Sequence, residues 1–270
     1  MENCIKNRYY WPLMAVLFLL ATSTSAASLN NHPPEQSPSQ LEAYTAELEL
    51  TYNGKLQSRP SAKLESLGDD RFRYTLKARG EKGLAWLARA QDTEIGEFNW
   101  NQGKPQALIF TRKLKYLGKK EHWHAAFNWQ SMQVSIRHND DTFDLKLEPG
   151  TLDPVTFLFS MQDAVAKGET EFSYPFLDKD EIETKHYKFS GKEDLQTVFG
   201  CLPTIKIERI YKKPGKFQHH WLAPQLNHIV VRTDTGKTNK RTISLTLKKL
   251  HIQGQTVAVK DRCQQGTGRP

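Results

Sequence analysis

Residues 151–168 read TLDPVTFLFSMQDAVAKG, the one stretch of the chain in which helix signals occur at both ends. Asp153 is a typical N-cap, Pro154 suits the first helical position, and Gly168 is a typical terminator. At 3.6 residues per turn, the polar side chains fall on one narrow stripe and apolar side chains cover most of the remaining surface. The stripe consists of Thr156, Ser160, Asp163 and Lys167. We therefore predict a central helix at about 153–167 with only one edge in water.

Strand patterns occupy the chain on both sides of this helix. Apolar and polar residues alternate from Tyr44 to Tyr52, and Asn53-Gly54 is a typical hairpin turn. Alternating segments separated by turn residues continue to about residue 251. A helix that is apolar over more than half of its circumference needs a concave partner. The predicted fold is mainly β, a β-rich α+β arrangement in which a curved antiparallel sheet or half-barrel of about a dozen strands wraps one helix.

The beginning of the chain has the features of an export signal. Lys6 and Arg8 precede a short apolar run, and small residues lead to a cleavage position near Ala26. The apolar run is well short of the roughly 20 residues that a membrane-spanning helix needs. We therefore expect a periplasmic protein. The predicted segments are a signal peptide at 1–26, a disordered leader at 27–42, a single β-rich envelope domain at 43–252 and a disordered tail at 253–270.

Charge and cysteine content narrow the class of partner. The formal net charge is +8, so an exported chain would be attracted to anionic membrane surfaces, although a solvated basic surface explains the same number. Nucleic acid is not an expected partner in that compartment. Cys201 and Cys263 follow the signal peptide and could form a disulfide in an oxidising compartment, but Cys263 lies in the polar tail. The sequence is compatible both with a Cys201–Cys263 disulfide and with two free thiols.

The order of these features resembles the DUF3108 family of bacterial envelope domains. The resemblance covers about residues 44–250 and is carried by the strand pattern from Tyr44, by Leu152-Asp153-Pro154, and by Trp221-Leu222-Ala223-Pro224 with the Val-Val-Arg that follows at 230–232. It implies an open half-barrel, similar in outline to the periplasmic lipoprotein carriers and their outer-membrane acceptors. It implies no activity and no catalytic residues. Val198-Phe199-Gly200-Cys201 lacks a proline that is typical of the family at this corner.

Candidate chemistry in the sequence is sparse. His122 and His124 alternate along a strand, so both imidazoles lie on one face, but no third metal ligand with a defined spacing accompanies them. We therefore predict no metal site and name these two histidines only as weak candidates. Nucleophile elbows, zinc-protease motifs and phosphate loops are absent from the sequence, so we predict no catalytic residues and no cofactor.

The leading functional hypothesis is a non-enzymatic envelope protein that binds a lipid or another apolar ligand in a groove between sheet and helix. The predicted groove residues are Phe157, Phe159, Met161, Trp123 and Trp221. For Trp221 the favoured interpretation is a structural one, covering a sheet corner, with ligand stacking as the alternative. For Trp86 we predict that the ring folds over the edge of the core, with a ligand contact as the alternative. The first alternative is an interaction or assembly module with a filled core, whose basic face at Arg71, Arg73 and Lys77 docks envelope proteins. The second is a hydrolase of envelope polymers.

Overall fold

The structure is a computed structural model that describes residues 41–101, 103–212, 214–257 and 263. The predicted signal peptide at 1–26 lies outside the described residues, as do residues 27–40 of the predicted leader and most of the predicted tail. Residues 253–257 of that tail are described and complete a hairpin, so this part of the prediction is wrong.

The described residues form sixteen strands and two α-helices. The strands are β1 (Tyr44–Tyr52), β2 (Lys55–Ser58), β3 (Ser61–Gly68), β4 (Arg71–Arg79), β5 (Gln91–Asn101), β6 (Lys104–Tyr116), β7 (Lys119–Asn128), β8 (Gln133–His138), β9 (Asp141–Lys146), β10 (Glu171–Asp178), β11 (Glu181–Thr197), β12 (Gly200–Ile210), β13 (Lys216–Ala223), β14 (Ile229–Lys237), β15 (Arg241–Ile252) and β16 (Gln255–Thr256). The helices are α1 (Gly83–Leu87) and α2 (Pro154–Ala166), and a 3-10 turn spans Pro224–Leu226.

All strands belong to one antiparallel sheet. Its order is β10-β11-β12-β13-β14-β15-β1-β3-β4-β5-β6-β7-β8-β9, with β2 paired to β1 and β16 to β15. Apart from the β15–β1 contact, which joins the two ends of the domain, neighbours along this path follow one another closely in sequence. The predicted mainly β fold is confirmed, and the strands missed by the periodicity, β2 and β16, are among the shortest.

The sheet curves around α2. This helix contacts β5 and β6 on one side and β10 and β14 on the other. In the sheet order β6 and β10 are ten strand spacings apart, which would be about 48 Å in a flat sheet. A helix with its side chains is only about 10–12 Å across. Both strands can reach the helix only because the sheet bends into an open half-barrel.

The start of α2 is fixed by a capping box. The Asp153 carboxylate accepts hydrogen bonds from the backbone N–H groups of Val155 (2.7 Å) and Thr156 (2.9 Å), and the Thr156 hydroxyl accepts one from the Asp153 N–H (2.9 Å). Thr156 and Ser160 are buried, which corrects the prediction that the whole polar stripe faces water. Only the C-terminal members of the stripe, Asp163 and Lys167, reach the surface, where they form an ion pair.

Two apolar clusters lie on different sides of α2. The larger contains Val155 and Phe159 with residues of β1, β3 to β8 and β12 to β15, and the smaller contains Phe157 and Met161 with β10 to β13. Gly96 of β5 lies so close to Val155 that a Cβ atom at this position would be 2.6 Å from the valine Cβ. The helix is therefore seated directly on the sheet backbone at this point. No helix among the described residues combines the length and hydropathy of a membrane-spanning segment.

Candidate functional site

The five predicted groove residues are all buried, and they do not form one surface. Phe159 and Met161 have no exposed area, and Phe157, Trp123 and Trp221 expose 5–7%. Phe157 and Met161 belong to the smaller cluster, whereas Phe159, Trp123 and Trp221 belong to the larger one. The structure therefore gives these side chains a packing role. Trp123 also borders a cavity of about 190 Å³, together with Pro154 and Phe176, which is smaller than a typical ligand site.

Ring contacts account for the burial of the helix. Phe159 packs on Phe98 with ring centroids 4.9 Å apart and meets the edge of Tyr74 at 5.7 Å. Trp123 packs on Phe110 at 4.8 Å. A void between sheet and helix, with Leu158 among its lining residues, has a volume of about 70 Å³. A drug-sized ligand needs about 300–1,000 Å³, so neither this void nor the cavity beside Trp123 can hold one.

Trp221 lies apart from the helix and has its own polar partners. Its indole N–H donates to a carboxylate oxygen of Glu193 (2.8 Å), and its ring lies between the cations of Lys206 and Arg232, at 5.1 and 5.0 Å from the ring centroid. Each cation–π contact typically contributes about 0.5–1 kcal/mol at such sites. This arrangement supports the structural alternative for Trp221.

Open space occurs instead at the seam of the half-barrel. The edge strands β9 and β10 are the two ends of the sheet. The segment that leads from β9 to α2 crosses the gap between them. In this segment Leu152 pairs with β10 through backbone hydrogen bonds to Pro175 (2.9 Å) and Leu177 (2.8 Å). Beside this crossing lies a cleft of about 780 Å³, which we call the seam cleft. Its walls come from the β5–β6 turn, the β7–β8 turn, residues 149–152, α2 and β10. The volume falls within the size range of ligand sites.

The apolar wall of the seam cleft includes Trp129, Met132 and Tyr174. The Trp129 indole N–H donates to the carbonyl of Ala107 (2.6 Å), and its ring stacks on Phe127 at 6.1 Å. The Tyr174 hydroxyl donates to the carbonyl of Ser160 on α2 (3.2 Å). Both aromatic side chains are thus held by hydrogen bonds to the backbone, and the wall is formed before any ligand binds.

The polar wall of the seam cleft carries both signs of charge. Lys104 lines it together with Asp163 and Glu169, and Asp163 is paired with Lys167 at 2.6 Å. A cleft with one apolar side and a mixed, hydrated rim suits an amphiphile better than a purely apolar molecule.

A separate group of charges surrounds the beginning of α2. Burial raises the pKa of Asp153 to about 7, because one of its oxygens has no hydrogen-bond partner in the described residues. Burial also raises the pKa of Glu94, which lies 3.2 Å from the Arg112 guanidinium. Arg112 in turn pairs with Asp92 at 2.6 Å. These groups hold the cap and the adjoining strands together through Asp153 Oδ1 and the Arg112 ion pairs.

The two weak metal candidates remain on one strand. His124 hydrogen-bonds the Thr111 hydroxyl (2.9 Å), and burial lowers its pKa. The backbone N–H of His122 donates to the Asn139 side chain (2.9 Å). The described part of the chain contains no group of three His, Cys, Asp or Glu side chains with the geometry of a metal site.

One contact at the seam cleft resembles part of a hydrolase site. The hydroxyl of Ser173, which lines the cleft, lies 2.7 Å from Nδ1 of His186. The same hydroxyl–imidazole pairing occurs at three other places, always between residues directly opposite each other on neighbouring strands. These pairs are Thr111–His124, Thr233–His220 and Thr256–His251. Because cross-strand hydrogen bonds stabilise sheets generally, the Ser173–His186 contact is explained by strand pairing.

The predicted basic docking face is largely neutralised. Arg71 and Arg73 both bind the carboxylate of Glu97, the latter at 2.7 Å. Hydrogen bonds from these guanidinium groups help to lower the pKa of Glu97 against the raising effect of its burial. Lys77 lines a depression of about 500 Å³ on the sheet together with Glu47 and Glu65. The charges of Arg71 and Arg73 are therefore partly balanced by Glu97, whereas Glu47 and Glu65 are paired with Lys249 and Lys63.

Cys201 and Cys263 form a disulfide with Cα atoms 4.6 Å apart. The bond attaches a position of the predicted tail to β12, and the Cys263 N–H donates to the Gln196 side chain on β11 (3.0 Å). Its two cysteines are 62 residues apart in sequence. A disulfide is typical of proteins that fold in an oxidising compartment.

The residues of the seam cleft were missed by the sequence reasoning. Trp129 and Met132 lie at the β7–β8 turn, outside any regular pattern, and Tyr174 alternates with Phe172 and Phe176 on an edge strand, which does not distinguish a cleft residue from a core residue. The local sequence signal for the cleft is its proline content. Pro105, Pro149 and Pro175 lie at the ends of strand patterns or on an edge strand, where proline is tolerated.

Comparison with known proteins identifies a family and structures that are similar to this chain. The family described as a protein of unknown function, DUF3108, matches residues 49–245. A β-barrel-like protein of the domain of unknown function DUF1849 from Brucella abortus has a similar structure, with a TM-score of 0.54, 13% identity, and coverage of 79% of this chain and 99% of that chain. At this identity the likeness shows the fold alone.

A candidate lipoprotein from Parabacteroides distasonis ATCC 8503 aligns over 78% of this chain and 96% of its own, with 14% identity and a TM-score of only 0.29, which supports no argument. None of the curated proteins matches the chain. The match at 49–245 spans well over half of the sequence and confirms the resemblance seen in its motifs. This chain belongs to the DUF3108 family.

Proposed function

We propose that this protein is a non-enzymatic binding protein of the bacterial envelope that holds an amphiphile with an acyl chain in the seam cleft. The observation that carries the proposal is the cleft of about 780 Å³, which is much larger than the described cavities of about 70 and 190 Å³ elsewhere beside the helix. In this proposal α2 is a fixed wall of the site. It is not a plug that leaves when ligand enters.

The lining supports the proposed class of ligand. Trp129, Met132 and Tyr174 offer an apolar surface, and a thioether adapts well to chains of different shape. Lys104 at the rim can pair with an anionic headgroup, while Asp163 and Glu169 keep the rim hydrated. The periplasmic location rests on the signal-peptide pattern at 1–26, and the disulfide is consistent with it.

Uptake of a fluorescent fatty acid by the delipidated protein tests the proposal. The protein would start at residue 27, since every described strand and helix lies between Tyr44 and Thr256. Met132→Glu places a carboxylate in the apolar wall, and we expect it to weaken uptake about tenfold or more, because a charge facing an acyl chain must be desolvated. Leu67→Glu is the matched control, since Leu67 is 42% exposed and lies outside the cleft lining.

Two results would contradict the proposal. Absence of uptake by the unmodified protein would exclude acyl binding, and uptake unaffected by Met132→Glu would place the ligand elsewhere. Ester hydrolysis that disappears in Ser173→Ala would instead favour the hydrolase alternative, because Ser173 and His186 are the hydroxyl–imidazole pair beside the cleft.

A further inference from the structure

A second surface of the molecule is both apolar and strongly basic. Five of the nine large apolar side chains that are exposed in the described part of the chain belong to two neighbouring segments. They are Leu84 (63% exposed), Trp86 (60%) and Leu87 (65%) on α1, and Tyr116 (37%) and Leu117 (72%) at the β6–β7 turn. We call residues 79–91 and 113–120 together the basic tip.

The two segments of the basic tip form one unit with an anchored backbone. The Leu117 N–H donates to the carbonyl of Ala88 just after α1 (2.7 Å), and the Ala85 N–H donates to the side chain of Gln57 (3.2 Å). Gly80 leaves no space for a side chain, because a Cβ atom there would overlap the Ala85 carbonyl. The backbone is therefore fixed while the apolar side chains face solvent, which contradicts the prediction that Trp86 folds over the core.

Leu117 occupies a backbone position that suits other residues better. It has a φ of 47° in the turn between β6 and β7, where asparagine or glycine is favoured. A leucine in this conformation gains nothing from burial, because 72% of its surface is exposed. Apolar exposure of this kind marks interaction sites more often than chance.

The charge around these side chains has one sign. The basic tip contains seven cations and one acid, Glu81, which is already paired with Arg59 at 2.7 Å. All seven cations are exposed, and none forms an ion pair within the described residues. They are Arg79, Lys82, Arg89, Lys113, Lys115, Lys119 and Lys120.

We infer that the basic tip docks the protein on an anionic phospholipid bilayer. Exposed Trp and Leu side chains flanked by Lys and Arg are the composition that places amphipathic segments at a membrane interface. Exposed cations are attracted to an anionic surface, and the one acid of the basic tip, Glu81, is already paired with Arg59. Since β5 and β6 run from the tip to the seam cleft and β5 has 11 residues, the two sites are about 35 Å apart. Docking would leave the cleft open to solution.

Co-sedimentation with vesicles tests this inference without reference to acyl uptake. The chain from residue 27 is mixed with vesicles made of equal parts of phosphatidylcholine and phosphatidylglycerol, or of phosphatidylcholine alone. We expect binding to the anionic vesicles only, weakened by salt because charge attraction is screened. Lys115→Glu/Lys119→Glu/Lys120→Glu should weaken binding on the order of 100-fold. The control Lys216→Glu/Lys237→Glu/Lys240→Glu changes three other exposed lysines and should leave binding within about twofold.

A second set of variants tests the apolar part and does not depend on the lysines. Trp86→Ser/Leu87→Ser/Leu117→Ser should weaken binding about tenfold or more, since it removes most of the apolar area that would enter the interface. Its control is Phe189→Ser/Val198→Ser/Ile210→Ser, which changes three exposed apolar residues outside the tip.

Three results would overturn the inference. The first is that the unmodified protein stays in the supernatant with anionic vesicles. The second is that the tip variants sediment with vesicles as well as the unmodified protein does. The third is that the tip variants change the oligomeric mass of the protein and leave vesicle binding unchanged. The last result would assign the tip to a second copy of the chain.

Discussion

The two sides of α2 differ in how completely they are covered. Toward β5, Phe159 has no exposed area and Gly96 allows the helix to touch the sheet backbone. Toward the seam, the same helix contributes Ser160 and Asp163 to a cleft of about 780 Å³. The sheet is continuous on the first side and interrupted on the second.

This difference shows where a wrapped sheet leaves room for a ligand. Where neighbouring strands follow one another without a gap, their inward side chains meet those of the helix and fill the space at the density typical of protein interiors. Where the sheet ends, at β9 and β10, loops cover the helix only in part. The open volume therefore lies at the seam, and the closely packed contacts lie in the interior.

Phe159→Ala tests the interior and has the largest expected effect. We expect a loss of about 3–5 kcal/mol in the free energy of unfolding, because the variant removes a fully buried ring that contacts Phe98 and Tyr74. Urea unfolding followed by circular dichroism measures it. Phe189→Ala is the matched control, since that ring is 39% exposed and should cost about 1 kcal/mol or less. Equal losses in both variants would show that the interior is not packed more tightly than the surface.

The pH dependence of unfolding tests the buried imidazole of His220. Burial lowers the pKa of this side chain from 6.5 to about 3. The unfolded chain takes up a proton near pH 6.5 and the folded chain does not, so the folded state loses stability as the pH falls from 6.5 towards 3. Replacing His220 by glutamine, which can keep a hydrogen bond to Thr233, removes this loss.

The stability of the unmodified protein relative to His220→Gln should therefore fall by roughly 3 kcal/mol between about pH 6.5 and about pH 4. Taking the difference between the two proteins removes contributions from other groups. Asp153 is the main other group that titrates in this pH range. Its pKa in the folded protein is about 7, so its protonation favours the folded state as the pH falls, which is opposite to the effect of His220. A difference that does not vary with pH would mean that His220 is accessible to protons in the folded state.

Lys179→Ala tests the seam and has the smallest expected effect. Lys179 in the β10–β11 turn pairs with Glu121 of β7 at 3.1 Å, across the gap in the sheet. The lysine side chain is 53% exposed, so we expect a loss of at most about 1 kcal/mol in the free energy of unfolding. Urea unfolding measures this change as well. A loss as large as that of Phe159→Ala would mean that the seam closes the sheet as firmly as the interior does.

Local patterns were sufficient for most of the secondary structure. β1 was predicted with its observed bounds, and α2 at Pro154–Ala166 lies within the predicted 153–167. β11 continues to Thr197 past a register shift between Phe189 and Gly191, which breaks the alternation without ending the pairing. Periodicity detects regular strands and has no signature for a bulge.

Function depended on information that local patterns lack. The sequence supplied the apolar residues of α2 but not the strands that would meet them, and Phe159 is buried by Phe98 and Tyr74, each more than 60 residues away. Trp129 and Tyr174 come together at the seam only because β9 and β10 are the ends of one curved sheet.

The sequence by itself determined the capped helix, the antiparallel strands, the fold class and the family, because these follow from hydrophobic periodicity and turn chemistry between near neighbours. Only the tertiary structure decided that the space under the helix is filled, that the open volume lies at the seam, and that Trp86 and Leu117 share one exposed basic surface. The physical reason is that packing and exposure depend on contacts between residues far apart in sequence, and the curvature of the sheet selects those contacts.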